Sequence, residues 1–281
     1  MRLTTDRHDR DNAGLTYVYP VVSRRSRGVS VGINLNPNNA CNWRCVYCQV
    51  PELKSGKGPT IDLALLREEL FEFLEGVVEG DYMERHVPEG SRRLNDIAFS
   101  GNGEPTSSPQ FAESVELALE ALAHFELTPK VKPILITNGS LVRSPGVLEA
   151  LRRLGTAGGN IWFKLDRGTG EGLSAANSQP IDVERHFENL RLAAAACPTW
   201  IQTCMFARNG EQPTEAELEA YLALVERSGN FEVPPLGVLL YGLERKSFQP
   251  EAPELSRLSE DWLNELGRRI EARGLTARVH P

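Results

Sequence analysis

Residues 28–48 read GVSVGINLNPNNACNWRCVYC, and the fold is decided by how this stretch is parsed. Its first eight residues, Gly28–Leu35, alternate apolar side chains with small or polar ones, the period of a β-strand. A polar loop follows that carries Cys41, Cys45 and Cys48. Beyond it, Leu63, Leu65, Leu66, Leu70 and Leu74 recur at helical spacing, which predicts a helix from about Asp62 to Val78 with Asp62 as N-cap. The unit is therefore strand, polar loop, helix.

The same unit recurs along the chain. Strands are expected at Asp96–Phe99, Pro133–Thr137, Asn160–Leu165, Trp200–Phe206 and Leu236–Tyr241. Helices are expected at about Phe111–His124, Gly146–Leu154, Asp182–Ala196, Thr214–Ser228 and Ser259–Arg273, and a short closing strand at Thr276–Val279. Strands separated by helices require right-handed crossovers and a parallel sheet. Six such units are too few for a closed eight-stranded barrel, so the fold class is α/β, a partial (β/α)6 TIM-like barrel of parallel strands. No Pro/Gly/Ser-rich linker divides the chain, which reads as one domain over residues 1–281. Residues 1–27 form an N-terminal arm, 28–241 the barrel core, and 242–281 a lid loop and C-terminal helix.

The bulk properties narrow the classes of function. The chain has 281 residues and a net charge of −7, which does not support wholesale coating of a nucleic acid, although a local basic patch remains open. No stretch reaches the roughly 20 apolar residues of a membrane span. The N-terminus MRLTTDRHDRDNAG has no apolar core of a signal peptide, and its His8, Asp9, Arg10 and Asp11 read as a solvated arm rather than ligands. Five cysteines is an odd number for a disulfide framework, and a reducing cytoplasm fits better.

In parallel α/β folds ligand sites form where the strands end, because the following loops converge there. Cys41–Cys48, Gly101–Thr106, Thr137–Gly139, Lys164–Asp166 and Gln202 all fall at such ends. Thiolates are soft ligands that select iron–sulfur clusters or zinc. Three cysteines leave one iron of a cubane without a protein ligand, whereas a structural zinc is closed by four. The turn Gly101-Asn102-Gly103-Glu104-Pro105 permits close backbone approach and offers a carboxylate to an ammonium. Lys164 and Asp166 flank Leu165, so both point to one side. Cys204 reads as a small buried hydrophobe or a further thiol in the cavity, and Cys197 as structural. Residues 241–258 form a long irregular segment, read as a lid carrying Tyr241, Arg245 and Lys246. Arg24, Arg25 and Arg27 form a small basic patch.

Cys-x3-Cys-x2-Cys with Tyr47 before the last cysteine resembles the defining motif of the radical S-adenosylmethionine (SAM) superfamily. The resemblance implies a [4Fe–4S] cluster on Cys41, Cys45 and Cys48 whose open iron chelates SAM. It implies reductive cleavage of SAM to a 5′-deoxyadenosyl radical that abstracts hydrogen from substrate. The turn at Gly101–Pro105 resembles the family's GGEP element, with Gly101, Gly103 and Glu104 at the SAM amino group, and Thr137-Asn138-Gly139 resembles its TNG element. Tyr47 would pack near the adenine or serve as a core aromatic. Asn138, Lys164, Asp166 and Gln202 complete the expected SAM pocket, and flavodoxin or ferredoxin is the expected reductant. The set SGNGEPT, ITNG, KLD and IQT resembles the branch containing wyosine-type tRNA-modifying enzymes, but this chain has no second cysteine set before Cys41 and is acidic. An activase of a glycyl-radical enzyme and a non-enzymatic iron–sulfur protein are the alternatives.

Overall fold

A computed structural model describes residue 3, residues 14–23 and residues 28–281. His8–Asp11 and Arg24, Arg25 and Arg27 lie outside the described residues. Eight strands cross the main sheet in chain order: β1 (Val18–Ser23), β2 (Gly28–Ile33), β3 (Leu94–Phe99), β4 (Lys132–Thr137), β5 (Asn160–Lys164), β6 (Thr199–Met205), β7 (Gly237–Gly242) and β8 (Ala277–His280). Only β1 is antiparallel to its neighbour, and β2 through β8 are parallel. The expected parallel α/β sheet is present.

Its crossovers are made by α1 (Leu63–Val78), α2 (Tyr82–His86), α3 (Phe111–His124), α4 (Pro145–Thr156), α5 (Gly170–Asn177), α6 (Val183–Ala196), α7 (Glu215–Ser228) and α8 (Glu260–Ala272). Helix starts follow from local chemistry. The Asp62 side chain accepts the N–H groups of Ala64 and Leu65, and Thr214 forms a reciprocal capping box with Glu217. Among the described residues no helix is long and apolar enough to cross a membrane.

The strands have two unlike faces because side chains alternate. Val31, Ile33, Ile97, Phe99, Leu135, Ile161, Phe163, Ile201, Val238 and Leu240 pack against the helices in one core and are fully buried. The alternate positions include Ser30, Asp96, Trp162, Lys164, Trp200, Gln202, Cys204 and Tyr241. Of these, Trp162, Lys164 and Tyr241 are only half-buried, so this inner face is polar, aromatic and reached by solvent.

The expected N-terminal arm is a correction. Val18–Ser23 is a strand, and its entry is held by Glu69 of α1, which is buried. The carboxylate accepts the backbone N–H groups of Thr16 (2.6 Å), Tyr17 (2.7 Å) and Val18 (3.2 Å). Helix α5 is likewise absent from the expected elements, since its sequence GEGLSAAN carries two glycines.

Candidate active site

The cysteine loop is fastened to the strand ends from four directions. Toward the turn after β3, Asn34 Oδ1 accepts the Asn102 N–H (3.1 Å) and Asn102 Nδ2 donates to Asn39 Oδ1 (2.6 Å). Toward the turn after β4, Asn138 Nδ2 donates to Asn42 Oδ1 (2.8 Å) and Asn42 Nδ2 to Ser140 Oγ (2.7 Å). The third tether is the end of α5, whose Ala176 and Asn177 carbonyls accept the N–H groups of Val46 (2.9 Å) and Arg44 (3.2 Å). From the fourth side, Ser247 and Gln249 donate to the carbonyls of Val46 and Val50 (2.7 and 3.1 Å), while the Phe248 N–H donates to Cys48 O (3.0 Å).

All five cysteines are free thiols, and Cys41, Cys45 and Cys48 are half-buried. Among the described residues no three His, Cys, Asp or Glu converge as they would round a single metal ion. Burial pushes the Cys41 thiol up to about 12, opposed by the Trp43 N–H that donates to its sulfur at 3.5 Å. Burial pushes Cys45 up to about 11, opposed by Lys164 and by the Asn177 amide. The free protein therefore holds these thiols protonated at neutral pH, and a metal must displace the protons. The donor set fits an iron–sulfur cluster: three soft sulfurs on one loop, with N–H donors and one ammonium turned toward them.

Tyr47, Lys164 and Asp166 come together beside Cys45. The Tyr47 hydroxyl donates to Asp166 Oδ2 at 2.5 Å, and Lys164 Nζ stands 4.8 Å from the Tyr47 ring. Asp166 is almost wholly buried, yet Lys164, Tyr47, Asn177 and the Cys204 N–H outweigh that burial and hold it below its ordinary value. Burial opposes the charge on Lys164, but Tyr241 and Asp166 beside it keep the ammonium protonated. Gln202 is buried beside Lys164 in register on β6. Cys204 lies buried in the small apolar cluster with Val46, Tyr47 and Phe206. Cys197 is buried in the main core.

Glu104 is an anchor between strands. Its Oε1 accepts the Thr106 hydroxyl (2.6 Å), the Thr106 N–H (3.2 Å) and the Thr137 hydroxyl (2.6 Å), and Oε2 accepts the Asn138 N–H (2.7 Å). Burial nonetheless raises its pKa against these donors. The crowding at the two glycines comes from the protein itself. A Cβ on Gly101 (φ +141°) would stand 2.4 Å from Asn34 Oδ1, and one on Gly103 2.0 Å from Ala40 O. Both glycines let the cysteine loop lie on the turn.

The segment after β7 differs from the expected lid. Tyr241 belongs to β7, and residues 247–251 are bonded to the cysteine loop, with Arg44 clamped on Glu251 at 2.6 and 2.7 Å. Asn42, Asn177 and Glu251 were not legible as site residues. Asn42 sits inside the cysteine motif, which was its one available signal, while the other two are brought in by tertiary contact.

The Radical SAM superfamily model matches residues 35–225, which include the three cysteines, the Gly101–Pro105 turn, Asn138 and the Lys164–Asp166 pair. The chain belongs to the radical SAM superfamily. Membership implies a [4Fe–4S] cluster and SAM as cofactors. A UPF0026 protein of Helicobacter pylori is 29% identical over 138 residues, covering 47% of this radical SAM chain and 38% of that protein. The chain thus spans well under half the length of this curated relative. A radical SAM methyltransferase from Sphaerobacter thermophilus superposes with a TM-score of 0.62 at 15% identity, covering 94% of this chain and 68% of that one. TYW1 with a lysine–pyruvate adduct bound superposes with a TM-score of 0.56 at 15% identity, covering 88% and 73%. At these identities the likeness is one of fold.

Proposed function

We propose that this chain, acting as one domain over residues 1–281, is a radical SAM enzyme that cleaves SAM reductively and abstracts hydrogen from a small molecule or a nucleoside. The observation that carries this reading is the cysteine loop, tied on four sides to the ends of parallel strands, with Tyr47, Lys164 and Asp166 packed beside Cys45.

A bound [4Fe–4S] cluster would supply the one-electron reduction that splits SAM into methionine and a 5′-deoxyadenosyl radical. Cys41, Cys45 and Cys48 hold the cluster. Gly101 and Gly103 bring the turn against the cysteine loop, and Glu104 fixes that turn to Thr137 and Asn138, leaving Oε2 with capacity for an ammonium. Asn138 holds Asn42 within the cysteine motif. Lys164, Asp166 and Gln202 present polar groups at the top of the inner face, where ribose hydroxyls and a carboxylate are best received. Below them, half-buried Trp162 and buried Trp200 stand side by side on β5 and β6, and Arg278 lies 4.2 Å over the Trp200 ring. The motif set points to the branch containing wyosine-type enzymes, while the net charge of −7 and the single cysteine set leave the substrate open. Flavodoxin or ferredoxin supplies the electron, and a reducing cytoplasm keeps the thiols available.

Anaerobic reconstitution with iron and sulfide, followed by SAM and dithionite, should give 5′-deoxyadenosine from the wild type and none from Cys45→Ala. A protein that carries about four irons but shows no EPR change on adding SAM would instead be a plain iron–sulfur protein.

A further inference from the structure

Asn177 closes helix α5 and has no solvent exposure. Its Nδ2 donates to Cys45 Sγ at 3.2 Å and to Asp166 Oδ2 at 3.0 Å, while its Oδ1 has no hydrogen-bond partner among the described residues. An amide can be turned over, but here its orientation is dictated. Asp166 is held ionised, and a cysteine sulfur bound to iron only accepts. Turning the amide would set Oδ1 against two acceptors, so the fold leaves a buried carbonyl oxygen without a protein partner to keep an N–H on the sulfur. The contact does not hang on a flexible side chain. The backbone carbonyls of Ala176 and Asn177 bind the N–H groups on either side of Cys45, so helix end and cysteine loop are one body.

We propose that Asn177 is a positioning residue that sets the reduction potential of the cluster through its N–H···S bond to Cys45. Reduction adds negative charge to the cluster and its sulfurs, so a fixed donor stabilises the reduced form more than the oxidised one, as hydrogen bonds to cluster sulfurs do. The proposal rests on Cys45 being a cluster ligand. Asp166 Oδ2 also receives the Tyr47 hydroxyl, so the same amide ties the sulfur to the Tyr47–Asp166 pair.

The test is an EPR-monitored potentiometric titration of the anaerobically reconstituted full chain, comparing wild type, Asn177→Asp and Asn177→Leu, with iron content measured alongside. Asn177→Asp keeps the shape and exchanges the donor for an acceptor. Asn177→Leu removes the donor without adding charge. Both midpoints should move negative. At the wild-type midpoint the reduced-to-oxidised ratio should fall about tenfold in Asn177→Asp, which is about 59 mV for a one-electron couple, and by less in Asn177→Leu. A purely structural role would lower iron content and leave the midpoint of the loaded fraction where it was, and that result overturns the proposal. A wild type that forms no [4Fe–4S] signal defeats the underlying reading of the cysteines instead.

Discussion

Asp96 stands on the inner face of β3, with the Ser30 hydroxyl of β2 donating to its carboxylate. Burial pushes its carboxyl up from 3.8 to about 6, with Ser30 pulling the other way. The folded protein therefore holds the proton more tightly than the unfolded chain. The stability this group contributes is fully present below about pH 4 and is lost as pH rises toward 6. At about 1.4 kcal/mol for each tenfold change in proton affinity, the loss is about 3 kcal/mol by neutral pH. Asp96→Asn should therefore gain on the wild type between pH 4 and 6 and hold a constant lead above. Urea titrations of both proteins across that range check it, and a difference flat with pH would contradict the assignment. Glu104 makes the contrast at the same scale. It too is buried, but four donors surround it, so its charge is shared between two strand ends. The Gly-Asn-Gly-Glu-Pro run marked this residue in the sequence. Its partners Thr137 and Asn138, more than 30 residues away, came only with the sheet.

At the level of elements, the stretch after β7 changes character once it is placed. As sequence it is long, irregular and charged, the pattern of a mobile loop. In the fold its Ser247, Phe248 and Gln249 bind carbonyls of the cysteine loop, and its Leu255–Ser256 pairs with Ala207–Arg208. It works as a strap across the cysteine loop. The Arg44–Glu251 pair that closes it is partly exposed, with side-chain exposures of 38% and 16%, so its contribution to global stability is about 1 kcal/mol or less. Arg44→Ala should accordingly leave the unfolding midpoint nearly unchanged while speeding hydrogen exchange at the Phe248 amide, read by mass spectrometry. Unchanged exchange would show that the backbone contacts hold the strap without the ion pair. Helix α5 has a parallel history. Its two glycines weaken the helical signal, yet its last turn supplies two carbonyls and one amide to the cysteine loop.

For the whole molecule, the sheet runs β1 to β8 without a break in order, so each crossover joins neighbours and only the two outermost strands are edges. Strand β1 contains Pro20, which an edge strand tolerates because one row of its backbone groups has no partner. Residues 17–22 (YVYPVV) are rich in β-branched and aromatic side chains, but the docking of this strand depends on Glu69, about 50 residues away, which accepts the N–H groups of Thr16, Tyr17 and Val18. Glu69→Leu leaves those donors without their acceptor, and roughly 1 kcal/mol for each predicts a loss of about 3 kcal/mol. Glu69→Gln, which keeps one carbonyl oxygen, should lose less. Chemical denaturation measures both, and a Leu variant within about 0.5 kcal/mol of wild type would mean that β1 is held by pairing with β2 alone.

The parallel α/β class was legible in the amino-acid order alone, since the strand and helix periods are local and their alternation leaves little topological choice. The cysteine triplet was legible there as well, because three soft ligands within one loop carry their chemistry wherever the loop goes. The folded chain was needed to show that Glu69 holds the entry of β1, that Asn177 meets the Cys45 sulfur, and that residues 247–251 bind the cysteine loop instead of swinging free. Each of those depends on hydrogen bonds between residues far apart in the chain. Such a bond has no periodicity to read, and its partners are selected only when a polar group must be satisfied as the core closes.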